Sequence, residues 1–217
     1  MATIDFNEDY HSAVRGSFPG EEAIETWLPT LLDAYYIVDQ GIAEGIGLEE
    51  KERHVQVACK NHCSSCCQNQ STIPVYPNEL VGLSWYATEK VEGSKRETLK
   101  KQLREYTKES PCPFLVNDSC VAHPLRPMSC RLFIVFGRVC DKGEDPYYTR
   151  RKDVHTPIQD YIDQTYFTML PFYGVQDEIK RLEAVQNKDM HKVITLIQDC
   201  KWSSLADKMD DFDQKRK

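Results

Sequence analysis

The chain has 217 residues, with 27 Lys and Arg, 34 Asp and Glu, and nine Cys. This length favours one domain and is ample to bury a core without disulfides or metals, and the composition is not that of a disordered chain. The lack of a long apolar run excludes a transmembrane helix, and a start that carries Asp5, Glu8 and Asp9 is not a secretory signal. We therefore expect a cytoplasmic protein whose thiols stay reduced.

The N-terminal part of the chain is acidic and has a helical pattern. Its first 50 residues hold eleven acids and one base, whereas the rest holds 23 acids and 26 bases. Apolar residues recur at helical spacing over 21–43. Pro29 fits the first turn of a helix, so the helix should start near 26–29, and Gly41 and Gly45 predict its end. This acidic segment is a candidate docking surface for a protein partner.

The next part of the chain predicts a loop and two helices. Residues 59–77 hold four cysteines and two prolines, which is typical of a metal-binding loop followed by an irregular strand. A helix should follow with Asn78 as its N-cap, and Gly93 should end it. The order Ser-Lys-Arg-Glu at 94–97 matches a capping box and predicts a helix to about Lys108.

The remaining chain changes from an irregular region to helices. Residues 110–148 are rich in Pro, Cys and Gly, and they predict little regular structure apart from a short buried strand over 131–136. The charged tail from Lys201 onward is expected to fray. Helical spacing predicts three helices before that tail, over 157–170, 175–187 and 189–200.

These elements predict a mainly α-helical fold, in which helices pack around an irregular cysteine-rich metal-binding centre with little β-structure. We expect a single domain over 1–217 with three segments. They are an acidic N-terminal helical segment (1–58), a cysteine-cluster metal-binding region (59–145) and a C-terminal helical segment (146–217).

The cysteines are concentrated in the middle of the chain. A disulfide framework would more often spread through the fold, so a cluster in a cytosolic protein indicates metal ligation or redox chemistry. Cys-x2-Cys is the spacing at which one tight turn aims two thiolates at one metal. Soft thiolates suit zinc, copper(I) and iron–sulfur clusters alike. The predicted ligands are Cys59, Cys63, Cys66, Cys67, Cys112, Cys120 and Cys130, with Cys140 as a weaker candidate.

The adjacent pair Cys66 and Cys67 raises the question of one site or two. Neighbouring side chains diverge, so a mononuclear site rarely uses both. Either one of the pair is a bystander, or two sites lie on either side of the loop. In the second case, Cys63 and Cys66 would share one centre with late cysteines, and Cys59 and Cys67 would serve another centre or none. Cys200 is isolated and is expected to be a buried bystander.

Two histidines and two arginines lie near these cysteines. With so many thiols available, His62 and His123 are expected to have surface or hydrogen-bonding roles. Arg126 and Arg131 flank Cys130, and their charge would lower the pKa of its thiol and offset the charge of a thiolate-rich site. The alternative for these arginines is a structural ion pair.

The pattern CxxxCxxCC, then CPFL…C, then RPxxCR resembles the YkgJ-type cysteine-cluster proteins, a family of zinc- or iron-chelating domains. The resemblance covers about residues 25–172 and includes the later stretch Gly-Glu-Asp-Pro at 143–146. It implies that the seven motif cysteines from Cys59 to Cys130 are ligands. It also implies a packing role for His123, where the family often has an aromatic residue. Flagellin lysine N-methylases share a similar cysteine signature.

Three functions stay open on the sequence. The first is a zinc- or iron-binding protein, with an iron–sulfur cluster as one form of the centre. The second is an enzyme, either an iron–sulfur oxidoreductase or a protein lysine methyltransferase relative, although the chain has no glycine-rich loop for a nucleotide-like cofactor. The third is a zinc-stabilised adaptor that docks a partner through its acidic segment. Nucleic acid is not an expected partner, because the bases over 95–108 alternate with acids.

Overall fold

The computed structural model describes residues 10–60 and 63–216. The fold is mainly helical with two short antiparallel strand pairs, which confirms the predicted fold class. In these residues no helix has the length and apolar character needed to cross a membrane. The helices are α1 (Pro19–Glu22), α2 (Leu28–Arg53), α3 (Ser65–Asn69), α4 (Pro77–Glu89), α5 (Gly93–Glu105), α6 (Met128–Leu132), α7 (Pro146–Thr149), α8 (Gln159–Met169), α9 (Glu178–Gln186) and α10 (Ser203–Lys215).

The strands are short and join distant parts of the chain. One pair joins β1 (Pro74–Val75) to β4 (Thr195–Leu196), and the other joins β2 (Leu115–Val116) to β3 (Ser119–Cys120). Short 3-10 turns cover His123–Leu125, Arg151–Asp153, Leu170–Tyr173, Asp189–Val193 and Ile197–Asp199.

Helix α2 is the longest element and is longer than the sequence predicts. It starts at Leu28 with Pro29 in its first turn, as expected for a residue without a backbone N–H. It then continues through Gly41 and Gly45 and ends at Arg53. The prediction that these two glycines end the helix is therefore wrong.

The two glycines of α2 instead allow other elements to approach the helix closely. A Cβ atom added to Gly41 would lie 2.6 Å from Cβ of Tyr161 on α8. One added to Gly45 would lie 2.6 Å from Cε1 of His155. The fold therefore uses glycine here for packing, and the helical spacing of the apolar residues keeps α2 continuous.

The interior consists of three clusters of buried apolar side chains. Core 1 lies between α2, α4 and α8 and contains Leu28, Leu31, Tyr35, Trp85, Met128 and Met169. Core 2 lies between α4, α5, α10 and the cysteine loops and contains Leu83, Leu99, Leu103, Phe114, Trp202 and Met209. Core 3 is smaller and contains Ile42, Ile46, Ile134 and Phe136.

The charged C-terminal tail forms helix α10, so the prediction that it frays is wrong. The side chains of Leu205 and Met209 are buried in core 2. Asp213 lies on the same helix and accepts from Arg96 at 2.9 Å and from Lys100 at 3.0 Å. The acids of the tail therefore pair with the bases of α5, which sequence spacing alone does not reveal.

Two other local predictions fail for related reasons. The predicted strand over 131–136 instead starts as the end of α6, and only Val135 and Phe136 make isolated bridges, to Val154 and Val57. The predicted helix over 189–200 is replaced by 3-10 turns and β4. In both places contacts with a distant segment override the local pattern.

The start of α4 differs from the prediction by two residues. The N-cap is Tyr76, not Asn78. The carboxylate of Glu79 accepts a hydrogen bond from the backbone N–H of Tyr76 at 3.0 Å. Glu79 therefore caps the helix from its third position, as an acid in a first turn can.

Candidate metal centre

Helix α3 carries the adjacent cysteines of the first half of the motif. Cys66 and Cys67 both lie in its first turn, and Cys63 precedes it. Neighbouring residues of an α-helix point about 100° apart, so the two side chains face different parts of the interior. Cys63 is exposed, whereas Cys66 and Cys67 are half-buried.

A tight hairpin brings the second half of the motif to the first. Asn117 and Asp118 connect β2 to β3 with φ values of 51° and 55°, a left-handed conformation that these two residue types tolerate. The hairpin returns Cys120 to a position near Cys112. The backbone N–H of Cys112 donates to the carbonyl of Cys67 at 2.8 Å, so the two halves of the motif are joined directly.

Cys130 is placed by helix α6, which is tied to α4 through a buried carboxylate. Besides capping α4, Glu79 accepts a hydrogen bond from the backbone N–H of Met128 at 2.6 Å. Glu79 is fully buried, and this burial raises its pKa to about 7. The sequence prediction missed this positioning residue, although its place in the first turn of α4 is a usable signal.

Arg131 forms the structural ion pair that the sequence left open as an alternative. Its Nη1 donates to Asp39 on α2 at 2.6 Å, and its Nε and Nη2 donate to the carbonyls of Arg126 and Pro124 at 3.0 and 2.7 Å. The guanidinium also lies 4.1 Å from the centre of the Tyr35 ring. Arg131 therefore fastens the cysteine region to the acidic helix.

Arg126 has a different environment from Arg131. Its Nη1 lies 2.7 Å from Nε2 of His123, and its side chain faces the cysteines. Burial and the charge of Arg131 lower the pKa of Arg126, while the Cys120 thiol opposes this change. Arg126 is thus the arginine that is placed to offset negative charge on thiolates. His62 lies outside the described residues.

These elements surround a cavity of about 260 Å³. The described part of its wall holds no Asp or Glu, and its cationic side chains are Lys60, Arg126 and Arg131. A set of soft sulfur donors with cationic neighbours fits zinc or iron better than a hard oxygen-seeking ion. Seven predicted ligands lie in this wall: Cys59, Cys63, Cys66, Cys67, Cys112, Cys120 and Cys130.

The thiols in the cavity are neighbours of one another, and burial favours their protonated form. The neighbouring Cys67 thiol raises the pKa of Cys66, and the neighbouring Cys112 thiol raises the pKa of Cys67. Burial raises the pKa of Cys59 to about 12 and that of Cys120 to about 11. Desolvation therefore favours the neutral form of these thiols, even with Arg126 nearby.

The thiols surround a space and do not converge on one point. Across 10–60 and 63–216, no three His, Cys, Asp or Glu side chains form a ready-made metal-ligand group. Metal binding removes protons from thiols and contracts the ligands to bonding distance. We therefore expect the loops around the cavity to move inward when metal binds.

The last two cysteines lie outside the cavity wall. Cys140 is on the loop between α6 and α7, and its Sγ lies 3.8 Å from Nη2 of Arg150. Glu144 on the same loop pairs with Arg150 at 2.9 Å, and the Glu144 carbonyl accepts from Asn69 of α3 at 3.3 Å. Cys200 packs on core 2, and its Sγ lies 3.4 Å from the carbonyl of Leu196, a placement typical of a bystander.

The comparison with known families agrees with the cysteine spacing. Residues 58–154 match the CxxCxxCC family model, which is described as a "putative zinc- or iron-chelating domain". The matched region contains all eight predicted ligands, and the match confirms over these residues the resemblance drawn from the motif. No curated protein and no solved structure matches the chain.

Proposed function

With residues 58–154 taken as a cysteine-rich zinc- or iron-chelating domain, we propose that this protein binds zinc or iron through thiolates that enter the cavity. The observation that carries the proposal is the composition of the wall. Seven thiols face one enclosed space, and the described wall has no carboxylate. Eight clustered thiols without disulfides are also consistent with a reducing cytosolic compartment.

The size of the cavity and the number of its thiols favour more than one metal atom over a single zinc ion, and an iron–sulfur cluster is one such centre. A single tetrahedral zinc ion is held at about 2.3 Å from each of four sulfurs, which leaves little space between them. A cavity of about 260 Å³ has room for more than one metal atom. More than four thiols in one wall also exceed the needs of a mononuclear site.

Anaerobic purification followed by metal analysis and absorption spectroscopy tests the proposal. A brown protein with iron, sulfide and a broad band near about 400 nm would support the iron–sulfur form. A colourless protein with stoichiometric zinc would support the zinc form and contradict the cluster. A protein that holds neither metal in stoichiometric amount would refute metal binding as the function.

A double variant, Cys63→Ser with Cys66→Ser, tests the ligand assignment. We expect it to lose metal, because it removes two donors from the cavity. Cys200→Ser is the matched control and should keep its metal, since Cys200 lies outside the wall. Full metal retention by the double variant would contradict the assignment.

The enzymatic alternative receives less support from the residues around the cavity. A metal hydrolase needs a general base near the metal. Glu144 pairs with Arg138 and Arg150 at 2.9 Å in each case. His155 is buried and pairs with Glu49 at 2.6 Å. These groups therefore have structural partners and lie outside the cavity wall.

The adaptor alternative depends on the acidic charge of the N-terminal segment, and much of this charge is used inside the protein. Asp33 pairs with Arg15 at 2.5 Å, Asp39 with Arg131, and Glu49 with His155. Paired acids offer a partner less net charge than the sequence suggests. A protein partner for this segment stays a prediction.

We also propose that the three segments of the chain form one domain. The Asp39–Arg131 pair joins the acidic segment to the cysteine region. Tyr161 of the C-terminal segment packs on Gly41 of α2 and donates to Glu44 at 2.8 Å. Coincident loss of helix content and of near-ultraviolet signal on heating would support a single cooperative unit.

A further inference from the structure

The eight clustered cysteines belong to two different environments. Four of them pack on core 2: Cys67, Cys112, Cys120 and Cys130. Cys59 instead packs on core 3, with Ile134 and Phe136. Both cores contribute to the cavity wall, which contains Phe114 from core 2 and Ile134 from core 3.

The cysteines on core 2 are tied together by backbone and thiol contacts. Cys112 donates its N–H to the Cys67 carbonyl at 2.8 Å, and both side chains pack on core 2. Cys120 pairs with Leu115 in the hairpin that starts just after Cys112. Cys130 follows on α6, which Glu79 holds against α4. This set is enclosed by apolar side chains.

The cysteines on the other side are held by the chain around Val135 and by the loop before α7. The backbone N–H of Val135 lies 3.4 Å from Sγ of Cys59. Arg150 contacts the sulfur of Cys140, and Asn69 of α3 contacts Glu144 on the same loop. Cys140 also interacts electrostatically with Cys63 and Cys66. Cys63 is exposed, so this side opens to solvent.

Cys66 is the residue that decides how the thiols divide. It neighbours Cys67 in the first turn of α3, and the two side chains diverge by about 100°. The two side chains can therefore face different environments, one on each side. Cys66 interacts electrostatically with thiols on both sides, with Cys120 and Cys130 on one and with Cys59 and Cys140 on the other. Because Cys67 already contacts Cys112 on core 2, we assign Cys66 to the other side, together with Cys63.

We propose that the eight thiols form two four-thiolate metal positions. The inner position uses Cys67, Cys112, Cys120 and Cys130, and the outer position uses Cys59, Cys63, Cys66 and Cys140. This assignment rests on the proposed metal-binding function and goes beyond it in the number of positions and their ligands. It differs from the sequence expectation by placing Cys59 with Cys63 and by giving Cys140 a full ligand role.

The two positions should differ in the rate at which they exchange metal. The inner thiols lie against core 2, so a chelator reaches them only after local opening of the fold. The outer position includes an exposed thiol and a cysteine on a loop, so ligand exchange can start there without unfolding. The outer metal should leave first.

The test uses the full chain, prepared without metal under reducing anaerobic conditions and then titrated with Zn²⁺. Protected cysteines are identified by thiol alkylation and mass spectrometry. One zinc equivalent should protect the inner four cysteines from alkylation, and a second equivalent should protect the outer four. The extent to which Cys200 is alkylated should not change with the zinc level, because it belongs to neither set.

Two single variants give an independent measurement of the same division. In a competition with a zinc chelator, the wild-type protein should release zinc in two phases. Cys140→Ser should lose the fast phase, Cys120→Ser should lose the slow phase, and Cys200→Ser should keep both. Circular dichroism of each variant shows whether its helices have formed before the phases are compared.

The outcomes separate the proposal from the function on which it rests. Uniform protection of all eight cysteines by one zinc equivalent would overturn the two-position assignment but keep metal binding. Protection of Cys59 together with Cys67 would overturn the ligand sets. Failure of zinc to protect any cysteine would refute the proposed function itself.

Discussion

The cysteine cavity and the α5–α10 helix pair both join segments that are far apart in the chain, but they do so by different means. Helices α5 and α10 have 13 residues each and bury Leu99, Leu103, Leu205 and Met209 in core 2. The cavity is built from short helices, a hairpin and loops that present thiols to a common space.

The two regions therefore differ in the source of their stability. Two amphipathic helices can lose enough apolar surface to offset the entropy of ordering them. Loops around a cavity gain less burial, and their thiols lose hydration without ionising. We therefore expect the helix pair to hold without metal and the cavity to need it for full stability.

The largest expected effect is that of metal removal. Metal would connect the segment before α4 to the segment after α5. Its loss should therefore lower the free energy of unfolding of the whole chain by several kcal/mol. Thermal unfolding followed by circular dichroism, with and without a chelator, measures this effect. An unchanged melting temperature after metal removal would contradict the claim that the cavity needs metal for full stability.

Replacement of Arg131 comes next, because this buried cation links the cysteine region to α2. We expect Arg131→Met to lower the free energy of unfolding by about 3 kcal/mol, since Asp39 loses its partner and two carbonyls lose their donors. Urea unfolding measures the change. Lys101→Met is the control: its side chain is 74% exposed, and we expect a change near zero.

A smaller effect should follow from a methyl group added to α2. Gly45→Ala places a Cβ 2.6 Å from His155, so overpacking should destabilise by about 1–3 kcal/mol. Gly47→Ala is the matched control on the same helix, where a Cβ meets open space, and it should stabilise by about 0.5–1 kcal/mol. Equal effects of the two variants would contradict the close approach of His155.

The smallest effect should come from the ion pairs between α5 and α10. Asp213→Asn should cost about 1 kcal/mol, because Arg96 and Lys100 both donate to this carboxylate. Asp207→Asn should cost almost nothing, since Asp207 is 74% exposed and lies 3.7 Å from Arg104. A larger loss for Asp207→Asn than for Asp213→Asn would contradict the structure.

The same ion pairs predict how the stability of the helix pair depends on pH. Hydrogen bonding to Arg96 lowers the pKa of Asp213, and hydrogen bonding to Lys100 lowers that of Asp210. Because the folded state depresses these values, their stabilising contribution is present above the ordinary Asp pKa of 3.8 and is lost as the pH falls through the lower folded value. Asp213→Asn should reduce this acid dependence, as measured by unfolding between about pH 2 and 5.

Local patterns of the sequence predicted the elements that depend on near neighbours. Pro29 marked the first turn of α2, and the helical spacing over 157–170 predicted α8 at Gln159–Met169. Capping and side-chain periodicity act over three or four residues, so such features are visible in a sequence. The cysteine spacing likewise indicated the family whose model matches residues 58–154.

Features that depend on distant neighbours were not predictable in this way. Gly45 looked like a helix end because nothing in the sequence shows that His155 packs on it. The tail was expected to fray because the sequence does not show that its acids pair with bases on α5. Glu79 and Arg131 act through residues on other helices.

The mainly helical fold and the cysteine-rich centre were visible in the sequence, because residue type and short spacing encode both properties. The identity of the neighbouring thiols depended on the tertiary structure. Cys67 meets Cys112 through a backbone hydrogen bond and a hairpin, whereas Cys59 packs on a different core. The reason is physical: a thiol's neighbours are set by how helices bury their apolar faces, and that burial joins residues which the chain keeps far apart.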